Sequence, residues 1–513
     1  MAAGSRRTVA ALLTLAGFVP AVSTQSASRN EQVHAGYQRL YAGDELGAIR
    51  HFQELLAPDP DDLAFRFGLL FAQLERLGRD VPLRAEFERR LDAFIDLADK
   101  RYARTTRDEE ALFYLAQAYL MRARYRVDYD KGMWGAARDG VKSKNYSEVY
   151  LKIHPEHGDA YLALGLYNYY VELAPAFFKV LRFLLFLPAG NRVEGLKQIE
   201  RAASQGSLFG PQAQELLIEV YSQYEGRVAD AVATADRLQA RYPDNDGFAF
   251  TAAELYAGVA VEDHRRAGEI YQRVADRRKN DETADVAASH YRALLNLANT
   301  RVSEWRLADA IAVLTPVIDA RVAKPAHVLP EFLLRRANYR ALIDDPGASD
   351  DARRVQSDPA MAAQKTGAGE LLKGIEARKA SGEAAIYAAL IPANRLTYEG
   401  KWDDARRLYD AAAARYPQSP LIRYWLAYLD FASGNLDRAL PAFTALANAG
   451  RAVPENLRAW SLLYIARTHD LSGRRDTAKK LYQQVVDNYE HQRAAGAARF
   501  GLVTPYKRPP PRT

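Results

Sequence analysis

Apolar residues recur at helical spacing along most of this chain, and small and aromatic residues return at fixed intervals within that pattern. In the C-terminal third, Ala405 and Ala439 lie 34 residues apart, and an aromatic residue, Tyr409 or Phe443, follows four positions after each. Further small residues precede these alanines, and a third copy follows after a longer loop: Ala393, Ala427, Ala466, Ala478 and Tyr482. Three copies in one register predict repeated helix pairs rather than a plain helical bundle.

The repeated positions have a simple physical meaning. Small residues let two helices cross closely, and the aromatic residue fills the gap to the next pair. A glycine before each second helix, at Gly400, Gly434 and Gly473, releases the chain from the first helix. The spacing resembles that of tetratricopeptide repeats. It predicts an all-α fold, an α-solenoid of roughly ten helix hairpins wound into a superhelix.

The same frame returns elsewhere and sets the expected domain boundaries. Matching positions are Gly36, Gly43, Ala48, Phe52 and Pro60, then Ala231, Leu238 and Pro243, then Ala267, Tyr271 and Val274, and more weakly Ala310, Leu314 and Val317. We expect an N-terminal array over 29–343 and a C-terminal array over 383–495.

Two segments depart from the frame. Residues 344–382 are rich in Asp, Gly, Ala and Ser, and predict an irregular linker with a short helix at 369–379. We expect the whole segment to act as a hinge between the two arrays. The tail 496–513 ends in PYKRPPPRT, with four prolines in nine residues. It is expected to be extended and loosely held.

A central repeat is interrupted by an apolar helical insert over 174–187. Gly165, Asn168 and Pro175 precede the insert, and Gly190-Asn191-Arg192 and Gly195-Leu196 follow it. Over roughly 108–205 this arrangement resembles the eukaryotic tetratricopeptide-repeat 39 and inclusion-body-clearance family, whose repeat is broken by an apolar stretch that ends in a Gly-Asp-Arg-x-x-Gly-Leu-like turn. Asn191 replaces the acid, and Asn and Asp cap helices alike.

That resemblance implies the local fold and not a cellular role. Members of the family are intracellular and in part associated with mitochondrial membranes, whereas this chain begins with an export pattern. Exported bacterial repeat proteins with a similar insert would be nearer relatives.

The insert supports two interpretations. It is about 14 residues long, which is too short to span a bilayer. Lys179 and Arg182 are three residues apart and would share one face of a helix. Apolar side chains would cover most of the remaining surface: Phe177, Phe178, Leu181, Leu184 and Leu185. The insert is either a lipid- or membrane-surface-binding helix or a plug packed inside the superhelix.

The N-terminus predicts a signal peptide over 1–23. Arg6 and Arg7 precede an apolar run of about 15 residues, and small residues at 21–23 form a cleavage site. The alternative, an uncleaved anchor, is disfavoured because the run is short and contains Pro20. The chain has no cysteine, which excludes disulfides, thiolate metal sites and a lipidated cysteine. We therefore expect a periplasmic or envelope-associated protein.

A partner-binding groove is expected on the first helices of the repeats, where aromatic and Arg side chains are typical anchors. The frame assigns to it Tyr37, Tyr41, Tyr387, Asn394, Tyr424, Tyr428, Trp460, Arg467 and Asp470. The alternative is that the tyrosines only pack between repeats. Leu390 and Leu421 stand where a carboxylate clamp would need basic residues, so that clamp is not expected.

Other chemistry finds no support in the sequence. Phosphate loops, nucleophile elbows and HExxH-type motifs do not occur, so we expect no enzyme activity, no cofactor and no metal. His154-Pro155-Glu156-His157 suits an interhelical turn better than a metal site. The net charge of +6 is modest, and the basic pairs lack interleaved aromatic residues. We therefore expect no binding to nucleic acid. We expect a scaffold that binds a protein or peptide partner, with lipid or membrane-surface binding as the alternative.

Overall fold

The chain folds into α-helices joined by short turns. The computed structural model describes residues 22–508 apart from 79, 106, 131, 174–188, 281–283 and 322–325, and for 22–27 and 284–287 it describes the backbone alone. Across these residues there are 24 α-helices and no strands. The predicted all-α solenoid of helical repeats is confirmed.

The chain divides into two compact units, Met1–Pro211 and Gln212–Thr513. The first unit contains α1 (Val22–Tyr41), α2 (Glu45–Leu56), α3 (Leu63–Leu74), α4 (Val81–Arg104), α5 (Glu109–Tyr125), α6 (Met133–Ile153), α7 (Ala160–Leu173) and α8 (Arg192–Gln205). The boundary falls within α9 (Gly210–Glu219). It lies well before 344–382, where the sequence suggested a division.

The second unit continues with the remaining helices. They are α10 (Val228–Arg241), α11 (Asp246–Ala257), α12 (His264–Arg277), α13 (Ala284–Ser303), α14 (Leu307–Asp319), α15 (Val328–Leu342), α16 (Gly347–Ser357), α17 (Lys365–Ala380), α18 (Glu383–Tyr398), α19 (Trp402–Arg415), α20 (Pro420–Ser433), α21 (Leu436–Ala447), α22 (Glu455–Leu471), α23 (Arg475–Asn488) and α24 (Arg493–Val503).

Packing follows the repeat frame within each unit. Consecutive helices form hairpins, and the first helix of a hairpin also contacts the first helix of the next one, as in α1, α3, α5 and α7 and again in α18, α20, α22 and α24. First helices therefore form one layer and second helices another, which is the packing of a helical-repeat array.

The residues that define the frame take the predicted places. Ala405, Ala439 and Ala478 are 0% exposed, and the aromatic residues that follow them are equally buried. Gly434 ends α20 with a φ of +96°, a left-handed conformation that favours glycine. The local sequence pattern thus determines both the hairpin crossings and the turns between them.

The helices that flank the central insert pack together as one hairpin. A Cβ on Gly195 would lie 2.5 Å from the backbone nitrogen of Tyr169, so α7 and α8 approach as closely as their glycine allows. Asn191 caps α8, with its side chain accepting from the backbone N–H of Glu194 at 3.0 Å. The insert itself, 174–187, lies outside the described residues and its two interpretations stay open.

The prediction that 344–382 is an irregular linker is wrong, although its predicted helix at 369–379 lies within α17. The segment forms α16, a short 3₁₀ turn (Pro359–Gln364) and α17. Arg336 pairs with Asp351 through two hydrogen bonds of 2.8 Å, and both side chains are buried. The small residues that suggested a loop lie within these helices and are buried, Ala348, Ala352 and Ala368 among them.

The ends of the chain also differ from expectation. Helix α24 continues to Val503, so the tail predicted from 496 begins only at Thr504. The predicted signal peptide 1–23 lies almost wholly outside the described residues. Within the described part of the chain, no helix combines the length and apolar character that crossing a membrane requires.

Candidate functional site

Two predicted groove residues of the first unit are part of its core. Tyr37 is 1% exposed and packs against Phe52, Phe71 and Phe209, with ring centroids 5.4–5.8 Å apart. The hydroxyl of Tyr41 donates to the carbonyl of Leu208 at 2.8 Å. Both side chains are buried, so the prediction that Tyr37 and Tyr41 face a partner is corrected.

The first repeat of the C-terminal array is also packed. Asn394 is buried, and its Oδ1 accepts from the hydroxyl of Tyr409 at 2.5 Å. This bond joins the two helices of one hairpin, so Asn394 is structural rather than a partner contact. Tyr387 is half-buried against the same core, and burial raises the pKa of its phenol.

The other five predicted residues are brought together by α20 and α22. These helices and α21 contribute seven aromatic side chains, which we call the aromatic cluster: Tyr424, Trp425, Tyr428, Phe431, Phe443, Trp460 and Tyr464. Tyr464 lies at the centre, 5.0 Å from Phe431 and 5.3 Å from Tyr428. Such edge-to-face contacts fix the rings relative to one another.

The aromatic cluster is not uniformly accessible. Tyr424 is buried against Phe443, so it supports the repeat rather than facing a partner. Tyr428 and Trp460 are half-buried against the same core, and their role as partner contacts stays a prediction. At the edge of the cluster, Trp425 meets Trp305, from the turn after α13, at 5.1 Å.

The chain's own C-terminal segment lies against this cluster. After α24, residues 504–508 lie outside the helices, with Thr504 in an extended conformation, Thr504 and Tyr506 half-buried, and Pro505, Lys507 and Arg508 exposed. This alternation is the period of an extended strand. The ring of Tyr506 lies 5.7 Å from that of Phe431, and Arg508 donates to the carbonyl of Phe431 at 3.4 Å.

Arg467 lies under this segment. It is only 5% exposed, and its guanidinium lies 4.4 Å from the ring centre of Tyr506 and 5.3 Å from that of Tyr464. Glu262, from the turn before α12, provides the opposite charge at 3.6 Å. A buried cation needs such partners, because leaving water is costly. Burial raises the pKa of Tyr506, while the Arg467 cation acts in the other direction.

Asp470 holds the backbone of the segment. Its Oδ2 accepts from the backbone N–H of Tyr506 at 2.9 Å and from the hydroxyl of Tyr482 at 2.9 Å. Arg475 donates to the same carboxylate at 3.0 Å and to the carbonyl of Leu502 at 3.0 Å. The Asp470 side chain has no exposed surface, so the prediction of an open groove at Arg467 and Asp470 is corrected: the C-terminal segment covers both.

Sequence reasoning missed Phe431, Tyr464, Glu262 and Tyr506 as parts of this site. Phe431 and Tyr464 follow the frame three or four residues from predicted positions, so their spacing could have found them. The role of Tyr506 was missed because the prolines around it predict a loosely held tail. Glu262 comes from a distant turn and carries no local signal.

In two other candidate sites, the cavity beside α15 and the turn after α6, charged side chains are already paired within the protein. A cavity of about 420 Å³ beside α15 is lined by His327, Glu331, Leu334, Arg335, Asn338 and Gln364. Glu331 and Arg335 in its wall pair with each other at 3.9 Å. In the turn after α6, His154 contacts Glu109 at 2.8 Å, and no group of metal-ligating side chains forms within the described ranges.

Comparison with known proteins places one family on the C-terminal array. Tetratricopeptide-repeat models match residues 396–452 and 460–491. No curated protein matches the chain. The resemblance of 108–205 to the tetratricopeptide-repeat 39 family is not matched by these comparisons.

Two solved structures align with most of the chain. One is Naa15/Naa10 bound to HypK-THB, at 13% identity over 94% of this chain and 85% of that one, with a TM-score of 0.24. The other is the tetratricopeptide-repeat domain of P58(IPK), at 15% identity over 82% and 99%, with a TM-score of 0.19. The family matches cover α19–α21, most of α22 and all of α23, so this part of the C-terminal array consists of tetratricopeptide repeats.

Proposed function

We propose that this chain is a protein-interaction scaffold whose C-terminal repeats bind an extended segment of a partner protein. The observation that carries the proposal is the way residues 504–508 lie on the aromatic cluster, with one backbone hydrogen bond to Asp470 and one ring against Arg467. This is how helical-repeat grooves accept extended peptides, through backbone contacts and a few anchored side chains.

The chemistry of the surface supports a peptide ligand. Tyrosine, tryptophan and arginine are the residues that contribute most to binding at protein interfaces. Trp425 Nε1 is a buried donor with no hydrogen-bond partner in the described part of the chain, and a peptide carbonyl would satisfy it. The sequence carries none of the catalytic motifs considered above, and we infer a non-enzymatic role.

Site-specific photo-crosslinking tests the proposal. A benzophenone amino acid replaces Trp460, at the half-buried edge of the aromatic cluster, or Leu408, an exposed residue of α19. We expect a partner adduct from position 460 and none from position 408, because only the first position lies at the binding surface. Equal yields from both positions, or none from either, would refute the proposal.

We also propose that the scaffold acts in the cell envelope. The support is the sequence pattern of 1–23, with two arginines before an apolar run and small residues at the cleavage site. Mass spectrometry of the protein from its native cells tests this. A mature N-terminus within a few residues of Thr24 is expected, and an intact N-terminus on the bulk of the protein would contradict export.

The second candidate function is binding to a lipid or membrane surface through 174–187. It is favoured by the density of Phe and Leu in that stretch, next to Lys179 and Arg182. Co-sedimentation with vesicles that contain anionic lipids tests it. Binding that is lost in Phe177→Asp/Leu181→Asp supports it, and binding that is unchanged, or absent from the wild type, refutes it.

A further inference from the structure

The C-terminal segment makes three kinds of contact, and each would recognise a feature of a ligand. The aromatic side chain of Tyr506 lies over Arg467 and beside Phe431. The backbone N–H of the same residue donates to Asp470. Two positions later, Arg508 reaches the carbonyl of Phe431 in the last turn of α20, where a helix end carries partial negative charge.

These contacts are of a kind that another chain can replace. The segment is extended and half-exposed, and nothing in its five residues is buried like a core side chain. Thr504 Oγ1 is buried with no hydrogen-bond partner within the described residues, so the fit is incomplete. By contrast, Arg467 and Asp470 beneath it also contact Glu262, Tyr464 and Arg475, none of which belongs to the segment.

We propose that residues 504–508 are a built-in competitor, and that the surface they cover takes an extended peptide with an aromatic residue two positions before an arginine. This inference rests on the proposed function and names its ligand class. A partner segment of this chemistry replaces the ring over Arg467, the N–H bonded to Asp470 and the cation at the end of α20.

Competition of this kind has a measurable size. When the binding-competent state is a small fraction of the molecules, the apparent affinity falls by that fraction. If the segment occupies the surface in about 90–99% of molecules, removing it strengthens binding of an added peptide by about 10- to 100-fold.

The experiment uses the full chain and a fluorescent peptide that copies residues 502–508, LVTPYKR. Its binding is measured by fluorescence anisotropy to the wild type and to Tyr506→Ala/Arg508→Ala, which releases the segment. Lys507→Ala is the matched control, because Lys507 lies in the same segment with an exposed side chain. Circular dichroism of each variant confirms that the helices are intact.

We expect the double variant to bind the peptide at least about 10-fold more tightly than the wild type and Lys507→Ala. Adding Asp470→Asn to the double variant should weaken the binding again, because the acceptor loses its charge. A peptide with alanine at the tyrosine position should bind to none of the proteins. Equal affinity of wild type and double variant overturns the inference, as does a wild type whose segment exchanges between two copies and gives a concentration-dependent dimer.

The two proposals fail in different ways. If the double variant binds the peptide tightly but photo-crosslinking at position 460 gives no partner, the surface and its competitor stand and the scaffold function fails. If partner adducts form equally in wild type and double variant, and the peptide binds both alike, the scaffold function stands and the competitor fails.

Discussion

Asp159 in the first unit and Arg467 in the second are both buried charges, and they are neutralised in different ways. In the first unit, the fully buried Asp159 accepts from the backbone N–H groups of Ser207, Leu208 and Phe209, at 2.9, 3.1 and 2.7 Å. In the second unit, Arg467 is held by one carboxylate and by the faces of two rings, one of which belongs to the C-terminal segment.

The partners of the two charges differ in how easily they can be replaced, and this distinguishes a structural contact from a binding surface. Backbone N–H groups just before α9 can serve Asp159 only in one conformation of the chain, so this charge fixes the turn at 207–209 against the start of α7. A ring face can be supplied by any aromatic residue that arrives in an extended segment. We infer that the first kind of buried charge specifies the fold and that the second can be exchanged.

The largest expected effect is at Asp159. Asp159→Ala leaves several buried N–H groups without an acceptor, and we expect the free energy of unfolding to fall by about 3 kcal/mol or more. Urea unfolding followed by circular dichroism measures it. The control is Asp61→Ala, whose side chain is 71% exposed and should change little. A loss at Asp159 below about 1 kcal/mol would contradict a structural role.

A somewhat smaller effect is expected where α7 and α8 meet. Gly195→Ala places a Cβ 2.5 Å from the backbone nitrogen of Tyr169, and backbone cannot move aside as a side-chain end can. We expect a loss of about 1–3 kcal/mol in the same unfolding measurement. Gly374→Ala is the matched control, because no atom lies within 4 Å of its Cβ and a helix gains from alanine. Equal stability of the two variants would show that the hairpin is not closely packed.

Exposing Arg467 should reduce the free energy of unfolding by less than losing Asp159 does. Tyr506→Ala removes one of two rings over Arg467, and we expect about 1 kcal/mol of lost stability, the usual size of a cation–π contact. Tyr506→Phe keeps the ring and should retain most of that stability. A loss from Tyr506→Ala as large as that from Asp159→Ala would mean that the C-terminal segment is part of the core and not an exchangeable cover.

The smallest effect concerns pH around Asp159. Burial lowers the pKa of His157, whereas the hydrogen bond to Glu109 raises the pKa of His154. The contribution of His157 to stability is present above the unfolded pKa of about 6.5 and is lost as the pH falls. The contribution of His154 to stability is present below about 6.5 and is lost as the pH rises through its raised pKa. Between pH 8 and pH 5, His157→Gln should therefore reduce the acid loss of stability, and His154→Gln should increase it. Shifts of the same sign in both variants would contradict these assignments.

The parts of the molecule that could be predicted are those fixed by neighbours in sequence. The spacing of Ala405, Tyr409 and Gly400 determines a hairpin because the contacts it describes lie within one repeat. In 344–382 only the helix at 369–379 was predicted, as part of α17, and α16 was not. The pairing of Asp351 with Arg336 depends on tertiary packing, and the small residues of this segment also suit loops. The cover over Arg467 was missed for the same reason, as Glu262 and Tyr506 reach it from distant parts of the sequence.

The position of Tyr506 after the helices of the array also has a consequence for biosynthesis. The helices α18–α23 can pair with their neighbours as each emerges from the ribosome, because their contacts are local. The residue that completes the cover over Arg467 is made only after all of them. A nascent array therefore presents this surface before its own competitor exists, and a partner of matching chemistry has its earliest access to it at that stage.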